Sequence, residues 1–359
     1  MEFPDLDYVS LEPLDTREFA ARDPRGFLAT YGKGAIIDEV QNAPGLLSYL
    51  QEEVDEDPCP GRFVLTGSQH FGLSQAISQS LAGRCGVLHL LPPSLGELRR
   101  FGDIPDRLSE VLITGSYPRI HDRGIAADRW LADYTATYVE RDVRSITAVG
   151  DLTTFTTFLR LAAGSTAQEL NLARLGSDVG VSGHTIRQWL SILETSFLVT
   201  RFPSWHGNLR KRLVKRPKLH FLDSGLACSL LGITRPEQLE HHPLRGAIFE
   251  SWVAAEIYKA RVHAGLVPAL HHLRAISSIE VDLILERGAE VSLIEVKAGA
   301  TVAASFLSKL NRARAAVETA EDWREAVCYL VHGGEADRTQ SGVRLVPWNA
   351  LDGVDWRDR

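Results

Sequence analysis

A chain of 359 residues with a formal net charge of −7, 44% hydrophobic and 24% charged residues has an ordinary globular composition and room for two or three domains. The acidic balance excludes a molecule that binds nucleic acid or anionic membrane over its whole surface, though not one with a local basic patch. No apolar run reaches the roughly 18 residues of a membrane span, no charged-then-apolar leader is read, and the four cysteines are scattered with no Cys-x-x-Cys or His-Glu-x-x-His, so a reducing cytoplasm is the expected location, with no membrane, disulfide framework or zinc site.

Residues 1–105 alternate short apolar runs with helical stretches, which predicts a parallel α/β unit. The predicted strands are Tyr8 to Leu11, Ala35 to Asp38, Phe63 to Thr66 and Val87 to Leu91, with helical character over Ala43 to Val54 and Gly72 to Ala82. The run Ala35-Ile36-Ile37 ends in two adjacent acids, Asp38 and Glu39. Ligands of parallel sheets sit outside the carboxyl ends of the strands. Two acids there form a Walker B pattern, Asp38 holding Mg²⁺ and Glu39 orienting a water, or else they close a strand into a solvated loop. The third strand ends in Thr66-Gly67-Ser68-Gln69, where a hydroxyl and an amide can sense a γ-phosphate or simply line a turn.

Residues 106–165 are mainly helical by pattern, and Arg141, Asp142 and Arg144 are read as helix-surface ion pairs. From Thr166 the pattern changes to a helix over Ala167 to Leu175, a turn, and a second helix that Ser182 caps and that runs to about Thr195. Ile186, Trp189, Leu190 and Leu193 form its core stripe, while His184, Thr185, Arg187 and Gln188 face outward. This is a helix-turn-helix arrangement, whose second helix can enter a major groove. No acidic residue occurs from Thr195 to Leu222, where Arg201, Arg210, Lys211, Arg212, Lys215, Arg216 and Lys218 supply seven positive charges. A basic wing of a winged helix touching DNA phosphates through residues 182–218 is one reading. Arginines pairing with acids in a protein-binding module is the other.

In the last region, Ile279 to Glu286 and Val291 to Lys297 are apolar strands joined by Arg287-Gly288-Ala289-Glu290. A two-residue turn at Gly288-Ala289 sets Asp282 across from Glu295 and puts Glu280, Asp282, Glu295 and Lys297 on one face. Facing acids repel unless a cation sits between them, and Lys297 beside them can activate a water. The set matches the PD-(D/E)xK nuclease pattern; a closed ion-pair network is the alternative. A helix over Ala303 to Thr319 and a strand over Ala326 to Val331 follow.

The ordered segments IIDEVQ, LTGSQ, SLAGR ending in Arg84, and LPPSLGEL resemble the predicted AAA-superfamily (P-loop) ATPases that carry a winged helix and a restriction-endonuclease-like domain. The resemblance implies Mg²⁺ at Asp38, water activation by Glu39, γ-phosphate sensing by Ser68 or Gln69, and an arginine finger at Arg84, which implies a homo-oligomer if it acts between subunits; a salt-bridging Arg84 is the alternative. It also implies Glu250 as a further acid at the C-terminal metal site, beside Asp282 and Glu295. The departure is the Walker A loop: G-x-x-x-x-G-K-[ST] occurs nowhere, and Gly32-Lys33-Gly34 leads into a strand. Either the chain starts downstream of that loop, which is the favoured expectation and leaves apolar strand edges unpaired, or it is a degenerate member of the family. The expected fold is therefore α/β: an incomplete P-loop NTPase-like parallel sheet (1–105), a helical connection (106–165), a winged helix (166–235) and an α/β restriction-endonuclease-like domain (243–359). The expected function is an ATP-binding AAA-type protein, with a Mg²⁺-dependent nuclease and a non-catalytic DNA-binding adaptor as alternatives.

Overall fold

The computed structural model describes residues 3–67, 80–102, 104–138, 152–205, 216–274, 279–288, 290–319 and 325–357. Ser68, Gln69, Arg141, Asp142, Arg144, Arg210, Lys211, Arg212 and Lys215 lie outside them, as does most of the helix expected over Gly72 to Ala82. The chain divides into two compact units, residues 1–87 and 88–359.

The first unit runs β1 (Asp7–Ser10), α1 (Leu14–Arg22), α2 (Pro24–Thr30), β2 (Ala35–Asp38), α3 (Leu46–Glu56) and β3 (Phe63–Leu65). Its three strands are parallel with β2 in the middle, so the carboxyl ends of all three lie together. Ala35 and Ile37 are fully buried among Leu11, Phe27, Leu46, Leu47 and Leu50, which explains the continuous apolar run ahead of Asp38. Gly34 admits the chain to β2 at a φ of 105°, where a Cβ would fall 2.0 Å from the Arg62 carbonyl oxygen; only glycine fits that approach. The strand expected over Val87 to Leu91 does not form: Val87, Leu88 and Leu90 are 59%, 82% and 93% exposed. An apolar run becomes a strand only through a neighbour's backbone hydrogen bonds, and among the described residues none pairs with it.

The second unit opens with four helices, α4 (Leu95–Leu98), α5 (Leu108–Thr114), α6 (Pro118–Arg123) and α7 (Ala127–Tyr138). Its middle region follows as α8 (Leu152–Gly164), β4 (Gln168–Glu169), α9 (Leu172–Val179), α10 (Gly183–Thr195), β5 (Val199–Phe202) and β6 (Lys218–Phe221). The strands form an antiparallel sheet of order β4-β6-β5, and Phe155, Phe158, Ile186, Trp189, Leu190 and Leu193 pack the core against it. Ser182 caps α10 as expected, accepting from Thr185 N at 3.1 Å. The helix expected from Ala167 instead starts at Leu172. Ala167 has a φ of 55°, Gln168 and Glu169 pair with β6, and the Asn171 side chain caps α9 by accepting from Arg174 N.

The C-terminal region runs α11 (Ser224–Leu230), α12 (Pro236–Glu240), α13 (Arg245–His263), β7 (Leu270–Arg274), β8 (Glu280–Arg287), β9 (Glu290–Lys297), α14 (Ala304–Glu318), β10 (Glu325–His332), β11 (Arg338–Gln340) and β12 (Val343–Pro347). The sheet has order β11-β12-β10-β9-β8-β7, with β10 parallel to both neighbours and the other pairs antiparallel. Helix α13 covers one face, against Leu283, Leu285 and Ile294, while α14 covers the other, against Ile284, Leu293 and Leu330. Helix α11 is tied to α5 by Asp223, whose carboxylate accepts from Ser116 N, Ser116 Oγ and Leu226 N while capping α11. Among the described residues no helix is long and apolar enough to cross a membrane.

Candidate functional site

In the first unit the structure gathers hydroxyl groups around one carboxylate. Register places Ser10 beside Asp38, and Thr66 follows β3, so three carboxyl-terminal strand ends converge. Asp38 Oδ2 accepts from Tyr8 Oη at 2.8 Å and Ser10 Oγ at 3.3 Å, and Oδ1 accepts from Thr66 Oγ1. The Thr66 hydrogen bond, helped by those of Tyr8 and Ser10, holds the Asp38 carboxyl below its ordinary range. The Glu39 N–H adds a fourth donor, and because all four donors are neutral the carboxylate keeps its charge to attract a cation. This suits Mg²⁺, which keeps several waters and takes one or two carboxylates alongside substrate phosphates.

Glu39 follows in a left-handed conformation with a φ of 56°, a strain of roughly 1–2 kcal/mol for a residue with a Cβ. Its N–H faces Thr66 Oγ1 at 3.3 Å and its carboxylate accepts from Gln41. Val40 N donates to Thr66 O at 3.0 Å and Asn42 Nδ2 to Leu11 O at 3.3 Å, which pins the turn and fixes the direction of Glu39. Such outliers persist only where surrounding bonds over-determine them, and they cluster at functional sites. Arg84 makes a two-pronged pair with Asp55, at 2.6 Å and 2.9 Å, so its guanidinium has a partner within its own unit.

The C-terminal constellation also assembles, with a different electrostatic result. The β8–β9 register is the expected one, Arg287 opposite Glu290 up to Leu283 opposite Ile294, and Gly288 enters the turn at a φ of 60°. Beyond Leu283 the ladder gives way, because the Asp282 carboxylate takes Val296 N at 2.8 Å. Glu280 is exposed and pairs along β7 with Arg274, and its charge acts on Lys218 together with that of Asp282. Lys297 Nζ stands 2.8 Å from Glu295 Oε1 and 3.5 Å from Asp282 Oδ2, and lies over the Phe306 ring. Lys309 of α14 reaches both Glu295 oxygens, at 2.9 Å and 3.1 Å. Glu250, on α13, meets Lys218 of β6 at 2.8 Å.

Burial and the Asp282 charge push the Glu250 carboxyl up to about 8, against the pull of Lys218, and push Glu295 up as well. Burial works to lower Lys297, but the charges of Asp282 and Glu295 outweigh it and raise the ammonium. Among the described residues no three His, Cys, Asp or Glu side chains converge as a metal-binding group. In this arrangement Glu250, Asp282 and Glu295 do not fit a divalent cation, since Lys218, Lys297 and Lys309 already balance them.

In the middle region Arg187 on α10 and Arg216 are exposed. Two of the seven basic residues turn elsewhere: Arg201 pairs with Glu194, and Lys218 points inward to Glu250. Tyr8, Ser10, Lys218 and Lys309 were not singled out from sequence for the contacts they make. A signal existed for Lys218, since a lysine opening the apolar strand Lys218–Phe221 needs a buried counter-charge. Lys309 carried none, being an ordinary helix lysine until α14 is laid on the sheet.

Comparison with known proteins gives three consecutive matches. Residues 2–99 match an AAA domain, residues 105–237 a domain of unknown function (DUF8612), and residues 245–351 a second (DUF4143). Two uncharacterized proteins, Rv2008c of Mycobacterium tuberculosis and Mb2031c of Mycobacterium bovis, are each 28% identical over 301 residues, which is 83% of this chain. That match spans 66% of each relative's own length, just under two thirds. The chain thus carries an AAA domain, with its parallel three-stranded sheet, at the N-terminus, followed by two domains of unknown function.

Proposed function

We propose that the protein is an AAA-type ATPase whose nucleotide domain works with a DNA-contacting winged helix. One observation carries the reading: Asp38 ends the central strand of the parallel sheet, is ringed by three hydroxyls, and is followed by Glu39 fixed in a strained turn. Mg²⁺, when bound with ATP, neutralises charge on the phosphate oxygens. Asp38 would hold that cation, its hydrogen bonds keeping it ionised and oriented. Glu39 would orient the attacking water with the carboxylate that accepts from Gln41. Ser68 and Gln69, next in sequence after Gly67, are assigned to γ-phosphate sensing. Arg84 is assigned to charge stabilisation only if it exchanges Asp55 for nucleotide. No G-x-x-x-x-G-K-[ST] pattern occurs in these 359 residues, so they are assigned the cation-and-water half of the site.

The order helix, strand, helix, helix, strand, strand of residues 152–221, with its antiparallel sheet, supports the winged-helix reading. Arg187 and Arg216, with Arg210, Lys211, Arg212 and Lys215 in the sequence between β5 and β6, would meet DNA phosphates. Asp282 and Glu295-Val296-Lys297 have the order of a restriction-endonuclease-like core, and we assign them no reaction. The test is Mg²⁺-dependent ATP hydrolysis by the purified protein. Glu39→Gln should lower turnover by about 10²-fold or more while ATP still binds. Asp38→Asn should raise the Mg²⁺ requirement. Unchanged turnover in both variants would overturn the reading.

A further inference from the structure

A trough of about 350 Å³ opens within the second unit, where the chain before and after α4 meets His263, the last residue of α13. Its apolar walls are Leu90, Leu91, Pro93 and Phe101. Leu91 is buried with Leu222, Ala255 and Val262, so that wall belongs to the core, whereas Leu90 and Phe101 are 93% and 46% exposed. Buried charges hold the shape. Lys259 Nζ donates to Pro93 O at 2.9 Å, Glu256 Oε2 accepts from Leu95 N at 2.6 Å, and the two side chains pair with each other at 2.5 Å. Walls fastened in this way stand in place before a ligand arrives, which lowers the cost of binding one.

Three polar side chains complete the lining, and two of them are spent on local bonds. Glu97 Oε2 accepts from Ser94 N at 2.8 Å and Ser94 Oγ at 2.9 Å, and lies 3.2 Å from His263 Nδ1. Arg100 is different. It is exposed and its guanidinium has no partner among the described residues, whereas Arg99 pairs with Asp352 and Arg107 with Glu240. A guanidinium takes a carboxylate through two parallel hydrogen bonds, so an unpaired one beside apolar walls matches a molecule with an apolar body and one anionic group. We propose that the trough binds a small apolar carboxylate, Arg100 taking its charged group and Leu90, Leu91, Pro93 and Phe101 its body. The volume lies within the range of about 300–1,000 Å³ that small-molecule sites occupy. A single unpaired cation suits one anionic group, whereas nucleic acid or an anionic bilayer is met by a row of them. The proposal rests on neither the nucleotide nor the DNA reading.

The test compares octanoate with 1-octanol, which has the same chain length and no charge, by methyl NMR titration of the whole chain. Octanoate should bind about tenfold more tightly than 1-octanol or better, a charge-assisted pair supplying the difference. Both ligands should shift the Leu90 and Leu91 methyl resonances. Arg100→Gln should remove the preference for octanoate and leave 1-octanol binding as in the parent, while Leu90→Ser should weaken both ligands. Arg100 and Leu90 are exposed, so neither change disturbs the core. No saturable octanoate binding, equal affinity for the two ligands, or a preference that survives Arg100→Gln would overturn the proposal. So would unchanged binding in Leu90→Ser, or shifts elsewhere that leave Leu90 and Leu91 unmoved.

Discussion

Asp38 is gathered by strand ends and the C-terminal carboxylates by two strands and helix α13, and their partners differ in kind. Asp38 is held by Tyr8, Ser10 and Thr66, all neutral donors, so its charge is oriented and not cancelled. Asp282 and Glu295 are held by Lys297 and Lys309, so theirs is cancelled in place, while Glu250 beside Lys218 is pushed towards its protonated form by burial and the Asp282 charge. Acids at one locus therefore do not by themselves make a cation site; what matters is whether their partners carry charge. Hydroxyls leave a carboxylate able to attract Mg²⁺, whereas a buried lysine has already supplied that attraction.

The largest effect that would sharpen this contrast is expected at Glu295. Glu295→Ala leaves Lys297 and Lys309 without their shared partner and should cost about 3 kcal/mol in urea unfolding. A loss no greater than that of Asp38→Ala would break the comparison.

Protonation gives the two sites opposite signs. Glu250 is raised from 4.5 to about 8, so between those values the folded chain holds a proton that the unfolded chain releases. Its contribution is complete below about pH 4.5 and is lost as pH rises through about 8. Asp38 is lowered from 3.8, so its contribution is complete above that value and is lost as pH falls through the folded value. Stability measured against pH should accordingly decline less towards pH 8 in Glu250→Gln than in the parent, and less under acid in Asp38→Asn. The same slope in parent and variant at either end would contradict the assignment.

Smaller effects are expected at Arg187 and Arg216, the exposed arginines assigned to DNA phosphates in the proposed function. Arg187→Ala and Arg216→Ala should each weaken DNA binding uniformly across sequences and reduce the salt slope by about 1. Salt-independent binding would contradict phosphate contact. The smallest effect is expected for Arg84→Ala, whose exposed pair with Asp55 should leave the melting temperature nearly unchanged. A large drop in melting would show the pair to be structural.

Much of the first site was legible because its signals are local. An apolar run that ends in Asp38 and Glu39 is a buried strand followed by chemistry. The hairpin register was legible for the same reason, since Gly288 and the turn length fix which residues oppose. The ring around Asp38 was only partly visible: Thr66 was placed at a carboxyl end, but Tyr8 and Ser10 reach Asp38 through the pairing of β1 with β2, which a single strand does not announce. The illegible part was long-range and electrostatic. Lys218 sat in a run of basic residues that reads as a DNA-binding face, and its burial against Glu250 depends on how β6 packs on α13. Val87 to Leu91 shows the converse, since apolar composition without a pairing neighbour is not enough for a strand.

The central claim is that a divalent cation is held at Asp38 together with ATP, while the C-terminal carboxylates are closed to it. Paramagnetic broadening of methyl resonances by Mn²⁺ in the presence of ATP compares the two directly. The account predicts that Ile37 and Val40, which flank Asp38 and Glu39, broaden at concentrations that leave Ile294 and Val296 sharp. Broadening of Ile294 and Val296 first, with Ile37 and Val40 untouched, would contradict it.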